Sequence, residues 1–596
     1  MREFSVPATV TVADDASLTD AVRDHAAATP DLVLFSRRVG ETWSDVTAAQ
    51  FARQVADVAK GLVAAGIQAG QRVCLLSKTR YEWTLVDYAI WTIGAVTVPI
   101  YETSSAEQVQ WILSDSGAVA CILENAAHAA TVDSIRGELP ALQHVWQLDE
   151  GAIATLTEAG ASVDDAELAK RRAAVRADDT ATVIYTSGTT GRPKGCLLTH
   201  RNMVFAIGTA VKSLDSMFHE GASTLLFLPL AHVFARVIQC GCVHRGIRLG
   251  HTADVKNLLP DLAAFQPSFL LSVPRVFEKV YNGAKQKAHA DGKGRLFDRA
   301  EQVAIAHSIG RERGGPGLLT RAEHAVWDRL VYAKLRLALG GQCRAAISGG
   351  APLGDRLAHF FRGIGIPVFE GYGLTETSAA ATVNLEQAVR IGSVGRPIPG
   401  TSVRIDDDGE ILLKGDNVFA RYWNNEAATA EVLDADGWFH SGDIGELDGD
   451  GYLRITGRKK ELIVTAGGKN VAPAVLEDRL RAHWLISQAM VVGDRRPYIA
   501  ALVTIDVESW PAWLSRHGKP ADLQVGALAT DPDLTGEIQA AIDEANKAVS
   551  KAESIRKFRV LDRDFTEDSG ELTPSMKLRR HVVMKERADE VEAIYR

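Results

Sequence analysis

The stretch "TVIYTSGTTGRPKG" at residues 182–195 decides which class of fold and site this chain is expected to have. Its apolar start, "TVIY", predicts a strand, and hydroxyl residues and glycines follow at once. The amides and hydroxyls of such a loop can converge on phosphate oxygens, and Lys194 adds a point charge. Lys194 stands between Pro193 and Gly195, so the stretch does not fit the G-x-x-x-x-G-K-[ST] pattern of a P-loop. The loop predicts a phosphate site of another class, with an ordinary turn of small polar residues as the alternative.

The composition of the 596-residue chain is that of a folded multidomain protein, with 46% hydrophobic and 24% charged residues. A formal net charge of -9 gives no overall attraction to nucleic acid or anionic lipid, and no nucleic-acid partner is expected. The opening "MREFSVPATVTVADD" lacks an apolar signal region, and no apolar run reaches the roughly 20 residues that span a bilayer. These features predict a cytoplasmic protein without a membrane-spanning helix.

The cysteines lack the spacing of a disulfide framework or a zinc site. Most stand in apolar surroundings, so buried free thiols are expected. They are Cys74, Cys121, Cys196, Cys240, Cys242 and Cys343.

Helical patterns and apolar strands alternate in the first part of the chain. The stretch "TAAQFARQVADVAKGLVAAG" predicts a helix, because Thr47 and Gln50 fit a capping box and Gly66 can end it. After it, "RVCLLS", "VTVPIY" and "AVACILE" predict strands separated by the helical "EWTLVDYAIWTIGA" and "AEQVQWILSDSG". Such strands are typical of a covered parallel sheet, so the expected class is α/β. The predicted buried stripe of the first helix is Phe51, Val55, Val58 and Leu62.

Later parts of the chain have a different pattern. Residues 268–350 open with "SFLLSVPRVFEKV" and continue as basic helical patterns broken by "RERGGPG", for which we expect solvated faces and not a lipid-binding surface. Beyond "GYGLTET", short strands with turn signals predict a smaller β-rich unit. The charged stretch "TGRKKE" is the expected main hinge, which divides a large domain at 1–457 from a small α+β domain at 458–596.

Seven motifs in one order resemble those of the adenylate-forming enzymes, a family that includes acyl-CoA synthetases, luciferases and peptide-synthetase adenylation domains. The resemblance spans most of the chain and implies a multidomain α/β fold. The implied fold comprises a large N-terminal domain of layered α/β subdomains, a β-rich subdomain and a small mobile α+β C-terminal domain. After "YTSGTTGRPKG" the motifs are "LPLAHVFAR" (228–236), "SGGAPL" (348–353), "EGYGLTET" (370–377), "GWFHSGDIG" (437–445), "GYLRITGRKKELIVTAGGKNVAP" (451–473) and "LTPSMKLRR" (572–580).

The resemblance implies a reaction in two steps. A carboxylate attacks the α-phosphorus of ATP to give acyl-AMP and pyrophosphate, and a thiol then takes the acyl group. Because the first step brings two anions together, the site must supply positive charge and fixed donors, for which lysines and Mg2+ are suited. The β- and γ-phosphates are implied to lie on the loop that ends at the catalytic Lys194. The loop residues are Thr186, Ser187, Gly188, Thr189, Thr190 and Gly191.

The match at "EGYGLTET" assigns one side of the nucleotide. Tyr372, next to Gly371, would offer a flat face to adenine, and Thr375 a hydroxyl to the α-phosphate. Glu376 would be an oxygen ligand of Mg2+. Without the family, a Tyr and a Glu beside glycines usually mark only a turn.

Two other motifs are implied to hold adenine and ribose. Gly350 and Ala351 would lie along the adenine plane, where small residues permit close approach. Asp443 would accept hydrogen bonds from the ribose hydroxyls, and Arg458 would donate to them. From the residues alone, Asp443 is equally explained as a helix or turn cap.

The C-terminal motifs imply a moving domain. Lys577 matches the catalytic lysine that bridges the substrate carboxylate and the α-phosphate, although from composition alone it is a surface lysine. Lys460 matches the hinge about which the domain rotates between the half-reactions. The rotation would bring a thiol tunnel near Gly467 and Gly468 into place, and Lys469 would face a phosphate or solvent.

The motifs also indicate which carboxylic acid is activated and which acceptor receives the acyl group. "SVPRVFEKVY" and "DGWFHSGDIGELDGDGYLRITGRKKELIV" resemble the long-chain branch of fatty acyl-CoA synthetases, which implies a long-chain fatty acid with ATP, Mg2+ and CoA. His232 matches an aromatic position beside the acyl pocket, where it would gate entry or touch the carboxylate, and a core histidine remains the alternative. The alternatives for the whole chain are a fatty acyl-AMP ligase that serves a carrier protein, and an inactive nucleotide-binding homologue. Peripheral membrane contact and the oligomeric state stay open.

Overall fold

The computed structural model describes residues 1–40, 42–186, 192–254, 257–573 and 577–596. Helices and strands alternate through the first two thirds of the chain, and short strands dominate from residue 382 to residue 471. The strands are β1 (Glu3–Ser5), β2 (Val33–Val39), β3 (Thr42–Thr47), β4 (Arg72–Leu76), β5 (Val96–Ile100), β6 (Ala120–Leu123), β7 (His144–Gln147), β8 (Thr180–Thr186), β9 (Lys194–Thr199), β10 (Ser223–Leu226), β11 (Arg248–His251), β12 (Phe269–Ser272), β13 (Ala345–Ser348), β14 (Val368–Tyr372), β15 (Thr382–Val383), β16 (Arg396–Pro397), β17 (Thr401–Ile405), β18 (Glu410–Gly415), β19 (Arg421–Tyr422), β20 (Phe439–Leu447), β21 (Leu453–Arg458), β22 (Ile463–Val464), β23 (Asn470–Val471), β24 (Ile486–Val492), β25 (Ile499–Ile505) and β26 (Ile555–Val560). The helices are α1 (Asp20–Ala28), α2 (Ala48–Ala64), α3 (Tyr81–Thr92), α4 (Ala106–Ser116), α5 (Ala126–Ile135), α6 (Ala152–Gly160), α7 (Asp165–Ala174), α8 (His200–Ser213), α9 (Val233–Arg245), α10 (Leu258–Phe265), α11 (Pro274–Ala290), α12 (Gly294–Glu312), α13 (Leu318–Trp327), α14 (Ala333–Ala338), α15 (Asp355–Gly363), α16 (Glu426–Val432), α17 (Pro473–Arg481), α18 (Trp510–Arg516), α19 (Pro532–Asn546), α20 (Arg580–Glu586) and α21 (Ala588–Tyr595).

The first large sheet has the strand order β19-β9-β8-β5-β4-β6-β7. The pairs from β8 through β7 are parallel, and β9 returns antiparallel to β8. Its central strands are buried over their whole length, which agrees with the continuous apolar runs in the sequence. The prediction of a covered parallel sheet is confirmed.

Helix α2 forms as its sequence predicts. Thr47 Oγ1 accepts a hydrogen bond from the Gln50 amide at 3.3 Å, and Gln50 Oε1 accepts one from the Thr47 amide at 2.8 Å. Gly66 follows the helix with φ of +84°, a conformation that costs glycine little. The predicted stripe of Phe51, Val55, Val58 and Leu62 is buried.

A second sheet, in the order β12-β13-β14-β15-β16, carries two of the predicted nucleotide motifs at its strand ends. Its first three strands are parallel, and the last two are added antiparallel. Helices α11, α12 and α15 share an apolar core with this sheet, in which Tyr281 and Phe297 pack near Phe360. The cysteine prediction also holds, because all six thiols are buried and unpaired.

The β-rich unit expected in the later sequence is an antiparallel sheet in the order β1-β17-β18-β20-β21. Its edge strand β1 comes from the N-terminus, with Phe4 opposite Val403. No pattern in the sequence indicates this pairing, because it joins segments about 400 residues apart. The small C-terminal sheet β24-β25-β26 packs against α17 and α19 around its own apolar core. The predicted mixed α/β architecture with a large N-terminal and a smaller C-terminal domain is confirmed.

An ion pair without solvent exposure links α3 and α9 inside the large domain. Arg236 Nε donates to Asp87 Oδ2 at 2.9 Å, and a second guanidinium nitrogen donates to Oδ1. A third contact runs from Arg236 to the Thr182 hydroxyl on β8, at 2.6 Å. Trp83 and Trp91 face the guanidinium at 5.3 and 4.9 Å. Such a bidentate pair stabilises the fold only while both partners are present.

We predict that Asp87→Ala destabilises the large domain by about 3–5 kcal/mol, because it leaves the Arg236 charge buried without a counter-ion. The measurement is the urea midpoint followed by tryptophan fluorescence, since Trp83 and Trp91 flank the pair. The matched control is Arg404→Ala, which breaks a half-exposed pair with Glu3 and is expected to cost under ~1 kcal/mol. Equal shifts in the urea midpoint of the two variants would show that the buried pair contributes no more to stability than an exposed one.

Candidate active site

The predicted ribose ligands meet where β20 and β21 run side by side. Asp443 and Arg458 are opposite one another in the register, and Arg458 Nε lies 3.1 Å from Asp443 Oδ1. The Tyr372 hydroxyl, from the end of β14, donates to Asp443 Oδ2 at 2.7 Å. Both carboxylate oxygens are therefore positioned by other elements, and the structure joins three predicted residues from two sheets.

Glu376 lies against β19 and β9. Its Oε1 accepts a hydrogen bond from the Tyr422 hydroxyl at 2.7 Å, and the carboxylate is mostly buried. Lys194, at the start of β9, places its Nζ 5.1 Å from the centre of the Tyr422 ring. Tyr422 thus contacts both the predicted metal ligand and the predicted phosphate-loop lysine.

The "GYGLTET" motif forms a tight turn. Thr375 and Glu376 lie in a 3-10 turn, and Ser378 and Ala379 follow it with φ of +51° and +84°. Left-handed backbone at non-glycine residues is strained and persists only where the surroundings impose it. A Cβ on Gly373 would lie 1.7 Å from the Ala379 carbonyl oxygen, so only glycine fits the second "G" of the motif. The turn holds the Thr375 hydroxyl and Glu376 carboxylate in fixed positions.

The predicted adenine residues lie at the ends of β13 and β14. Gly350 is exposed with φ of +83°, and a Cβ there would have no neighbour closer than Val273, at 4.0 Å. Ala351 is also exposed. Gly371 lies within β14 opposite Val383. The open side of Gly350 leaves room for a flat ring beside the backbone.

Lys577 reaches this cluster from the C-terminal domain. Its side chain is accessible to solvent, yet surrounding protein atoms lower its pKa by desolvation, and the Arg458 charge lowers it further. The carboxylates of Asp443 and Glu376 act in the opposite direction on that pKa. A lysine that is both accessible and closely surrounded lies in a cleft. The Thr573 hydroxyl accepts a hydrogen bond from the Lys577 amide at 3.0 Å.

His232 lies at the N-cap of α9. Its Nδ1 accepts a hydrogen bond from the Phe234 amide at 3.2 Å. Desolvation, with a contribution from the charge of Lys577, lowers the pKa of His232 to about 4. The ring is therefore neutral at pH 7 and close enough to Lys577 for the lysine charge to act on its pKa.

The predicted hinge and tunnel residues are exposed to solvent. Lys460 is exposed in the 3-10 turn that follows β21, and Gly467 and Gly468 are exposed in the turn between β22 and β23. Lys469 is half-exposed, with its Nζ 3.5 Å from Glu553 of the same domain.

The predicted phosphate loop is only partly described. Thr186 ends β8, and its hydroxyl donates to the Lys194 carbonyl at 3.4 Å. The remaining predicted ligands, Ser187, Gly188, Thr189, Thr190 and Gly191, lie outside the described residues.

The residues present fit Mg2+ held together with a nucleotide. Among the described residues, no cluster of three or more His, Cys, Asp or Glu could hold a metal by itself. Mg2+ usually takes one or two carboxylates and completes its shell with water and substrate phosphates. Glu376 provides one such carboxylate, and no Lys or Arg in the described part of the chain forms an ion pair with it.

Tyr422 is the site residue that sequence reasoning missed. It stands in "NVFARYWNN", outside every quoted motif, and only the pairing of β19 with β9 brings it to Glu376. An isolated Tyr in a two-residue strand gives no pattern from which this contact could be predicted.

Comparison with known proteins identifies the class of this chain. Residues 22–423 match the AMP-binding enzyme family, and residues 460–596 match the AMP-binding enzyme C-terminal domain. The chain is 57% identical over 598 residues to long-chain-fatty-acid–CoA ligase FadD15 of Mycobacterium bovis, with all of both chains covered. The protein of the same name from Mycobacterium tuberculosis is 56% identical over the same span, again with both chains covered completely. The crystal structure of the anthranilate CoA ligase AuaEII with anthranoyl-AMP has a TM-score of 0.71 at 18% identity and covers 98% of this chain and 99% of its own.

This chain belongs to the AMP-binding, adenylate-forming enzyme family. The resemblance drawn from its sequence motifs is confirmed. None of the helices in the described ranges is long and apolar enough to cross a membrane.

We predict that Tyr422→Phe weakens the use of Mg2+ in adenylation, because Glu376 loses the hydrogen bond that orients it. A hydrogen bond to a charged group contributes about 1.5–3 kcal/mol, so the expected loss in kcat/KM is about tenfold or more, with a higher Mg2+ requirement. ATP–pyrophosphate exchange measured over a range of Mg2+ concentrations tests this. Tyr452→Phe is the matched control, since that buried hydroxyl donates to the Ala388 carbonyl elsewhere. An unchanged Mg2+ dependence in Tyr422→Phe would remove Tyr422 from the site.

Proposed function

We propose that this chain is an AMP-forming long-chain fatty acid–CoA ligase that activates a fatty acid with ATP and transfers the acyl group to CoA. The observation that carries the proposal is the convergence of Tyr372, Asp443 and Arg458, which a hydrogen bond and an ion pair join at one point. Lys577 is near enough for the charges of Arg458 and Asp443 to act on its pKa. The proposal is supported by full-length identity of 56–57% to two proteins named for this activity.

The residues of the cleft suit the first half-reaction. Lys577 provides a cation that can contact both the acyl carboxylate and the α-phosphate, and Lys194 provides one for the departing pyrophosphate. Asp443, held by Tyr372 and Arg458, accepts from the ribose hydroxyls. Mg2+, when bound at Glu376, supplies charge that offsets the phosphate oxygens. His232 is neutral at pH 7 and therefore adds no further charge to the carboxylate region.

The described arrangement supports the adenylation state of the C-terminal domain. Lys577 is near enough to Asp443 and Glu376 for their charges to act on its pKa, whereas the turn at Gly467 and Gly468 is exposed. Transfer to CoA then requires the domain to rotate at Lys460, which exchanges Lys577 for that turn.

The contact between the domains is suited to such a motion. Arg275 of α11 lies 2.9 Å from Asp506, and Lys279 lies 3.0 Å from Glu508. The second pair is largely exposed, and exposed pairs contribute little to stability. Polar contacts of this kind can be released at a small cost, as is usual for interfaces between mobile domains.

The whole proposal is tested by mass spectrometry of products formed from ATP, Mg2+ and a mixture of carboxylic acids from acetate to stearate, with and without CoA. We expect long-chain acyl-CoA and AMP only when CoA is present. Acyl-AMP that accumulates regardless of CoA would instead indicate delivery to a carrier protein. Absence of AMP under all conditions would contradict the proposal.

We predict that Lys577→Ala lowers acyl-AMP formation by roughly 100-fold or more, because the transition state loses a positioned cation. The same variant should still convert supplied acyl-AMP to the thioester, since Lys577 is assigned to adenylation alone. The control is Lys585→Ala, which removes an exposed lysine of α20. Equal loss of both half-reactions would refute the assignment of Lys577.

We predict that Lys460→Pro slows thioester formation more than adenylation, because proline fixes φ at the proposed hinge. Lys460→Ala removes the same side chain but leaves the backbone free, and it should behave as the unchanged protein. Both half-reactions are measured separately by quenched flow. If the proline variant is unaffected in both, the hinge lies elsewhere.

A further inference from the structure

The outer side of α13 and α14 exposes large apolar side chains. The sequence predicts charged, solvated faces for the basic helices of this region, but the structure turns leucines outward as well. Leu318 and Leu319 are 83% and 88% exposed, and Val326, Leu330 and Leu337 are 55%, 56% and 64% exposed. We call these five residues the leucine face.

The same helical segment also has a buried apolar side, so the leucine face is not its only apolar surface. Tyr332 is fully buried, and Trp327, Val331 and Leu335 pack against the same core. The helical segment is thus apolar on two sides, whereas a surface helix usually has a polar outer side. Contiguous exposed apolar side chains on a helix mark a binding surface.

A further exposed leucine lies on α12, the helix before α13. Arg299 of α12 pairs with Glu323 of α13 at 2.7 Å, so the two helices are in contact. Leu296 is 54% exposed.

Around the leucine face the acidic side chains are paired, whereas most of the basic side chains are not. The acidic residues of 311–337 are each paired with an arginine of the fold: Glu312 with Arg362, Glu323 with Arg299, and Asp328 with Arg336. By contrast, five basic side chains of this segment form no ion pair or hydrogen bond with any described residue. These flanking cations are Arg311, Arg313, Arg321, Arg329 and Lys334.

We propose that the leucine face and its flanking cations dock this protein on the surface of an anionic lipid bilayer. Apolar side chains on an exposed helix enter the boundary of the acyl chains, and basic side chains beside them attract anionic headgroups. The unpaired cations favour an anionic bilayer over a second copy of the chain. Although each copy carries a net charge of -9, two copies that met through this face would bring the same cations together. The inference deepens the proposed function, because a long-chain fatty acid partitions into the same bilayer, but surface binding does not depend on catalysis.

The test uses the full chain and sucrose-loaded vesicles of phosphatidylcholine, with and without phosphatidylglycerol at a molar ratio of three to one, in a sedimentation assay. We expect binding to the anionic vesicles that is at least tenfold tighter than to phosphatidylcholine alone and that weakens at high salt. The double variant Leu319→Glu with Leu330→Glu should lose at least tenfold in vesicle affinity. The double variant Arg321→Gln with Arg329→Gln should lose the preference for anionic vesicles.

The control is the variant Val39→Glu, which changes a valine that is 60% exposed elsewhere. It should bind vesicles as the unchanged protein does, whereas equal loss in the control would overturn the assignment to the leucine face. No binding by the unchanged protein, or full binding by the leucine variant, would also overturn the proposal. A concentration-dependent dimer in light scattering that the leucine variant abolishes, without vesicle binding, would assign the surface to self-association instead.

Pyrophosphate exchange with a short, water-soluble acid separates this proposal from the proposed function. All of these variants should adenylate that acid at the unchanged rate, because none of the altered residues lies in the cleft. Vesicle binding without any AMP formation would refute the ligase assignment and leave the docking surface standing.

Discussion

The buried pair between Arg236 and Asp87 is the constraint on which the large domain depends. It fixes α9 against α3, and through the Thr182 hydroxyl it fixes both against β8. The Arg236 amide also donates to the His232 carbonyl one turn earlier, at 3.3 Å. Arg236 therefore links α9 to α3 and to β8, the strand that leads into the predicted phosphate loop. If either helix moved, the buried Arg236 charge would lose its partner, which is costly. The pair therefore keeps α3, α9 and β8 in fixed relative positions beside the site.

The site itself is assembled from elements that are each fixed separately. Tyr372 comes from a parallel sheet, Asp443 and Arg458 from an antiparallel one, and Lys577 from the C-terminal domain. The first three are held to one another by a hydrogen bond and an ion pair. The backbone amide of Lys577 donates to the Thr573 hydroxyl, within the C-terminal part of the chain. The site thus combines side chains that contacts between two sheets hold together with a lysine from a distant part of the chain.

Much of the fold follows from local patterns in the sequence, because periodicity and caps act over short distances. The capping box at Thr47, the end of α2 at Gly66 and the buried strands of the parallel sheet all form as predicted. The pairing of β1 with β17 and the contact of Tyr422 with Glu376 were not predictable, since no local pattern encodes partners so far apart. The leucine face was missed for a related reason. The sequence predicts basic helical patterns with solvated faces in this region, but it does not show which apolar side chains the rest of the protein leaves uncovered.

The sequence by itself determined the family and the order of the motifs, and it predicted which residues have chemical roles, because these inferences depend on residue type and spacing alone. The tertiary structure decided which of them meet. It joins Tyr372, Asp443 and Arg458 at one point, brings Lys577 within reach of their charges, and pairs Lys469 with Glu553. The physical reason is that hydrogen bonds and desolvation act over a few ångströms in space, and distance along the chain does not determine those separations.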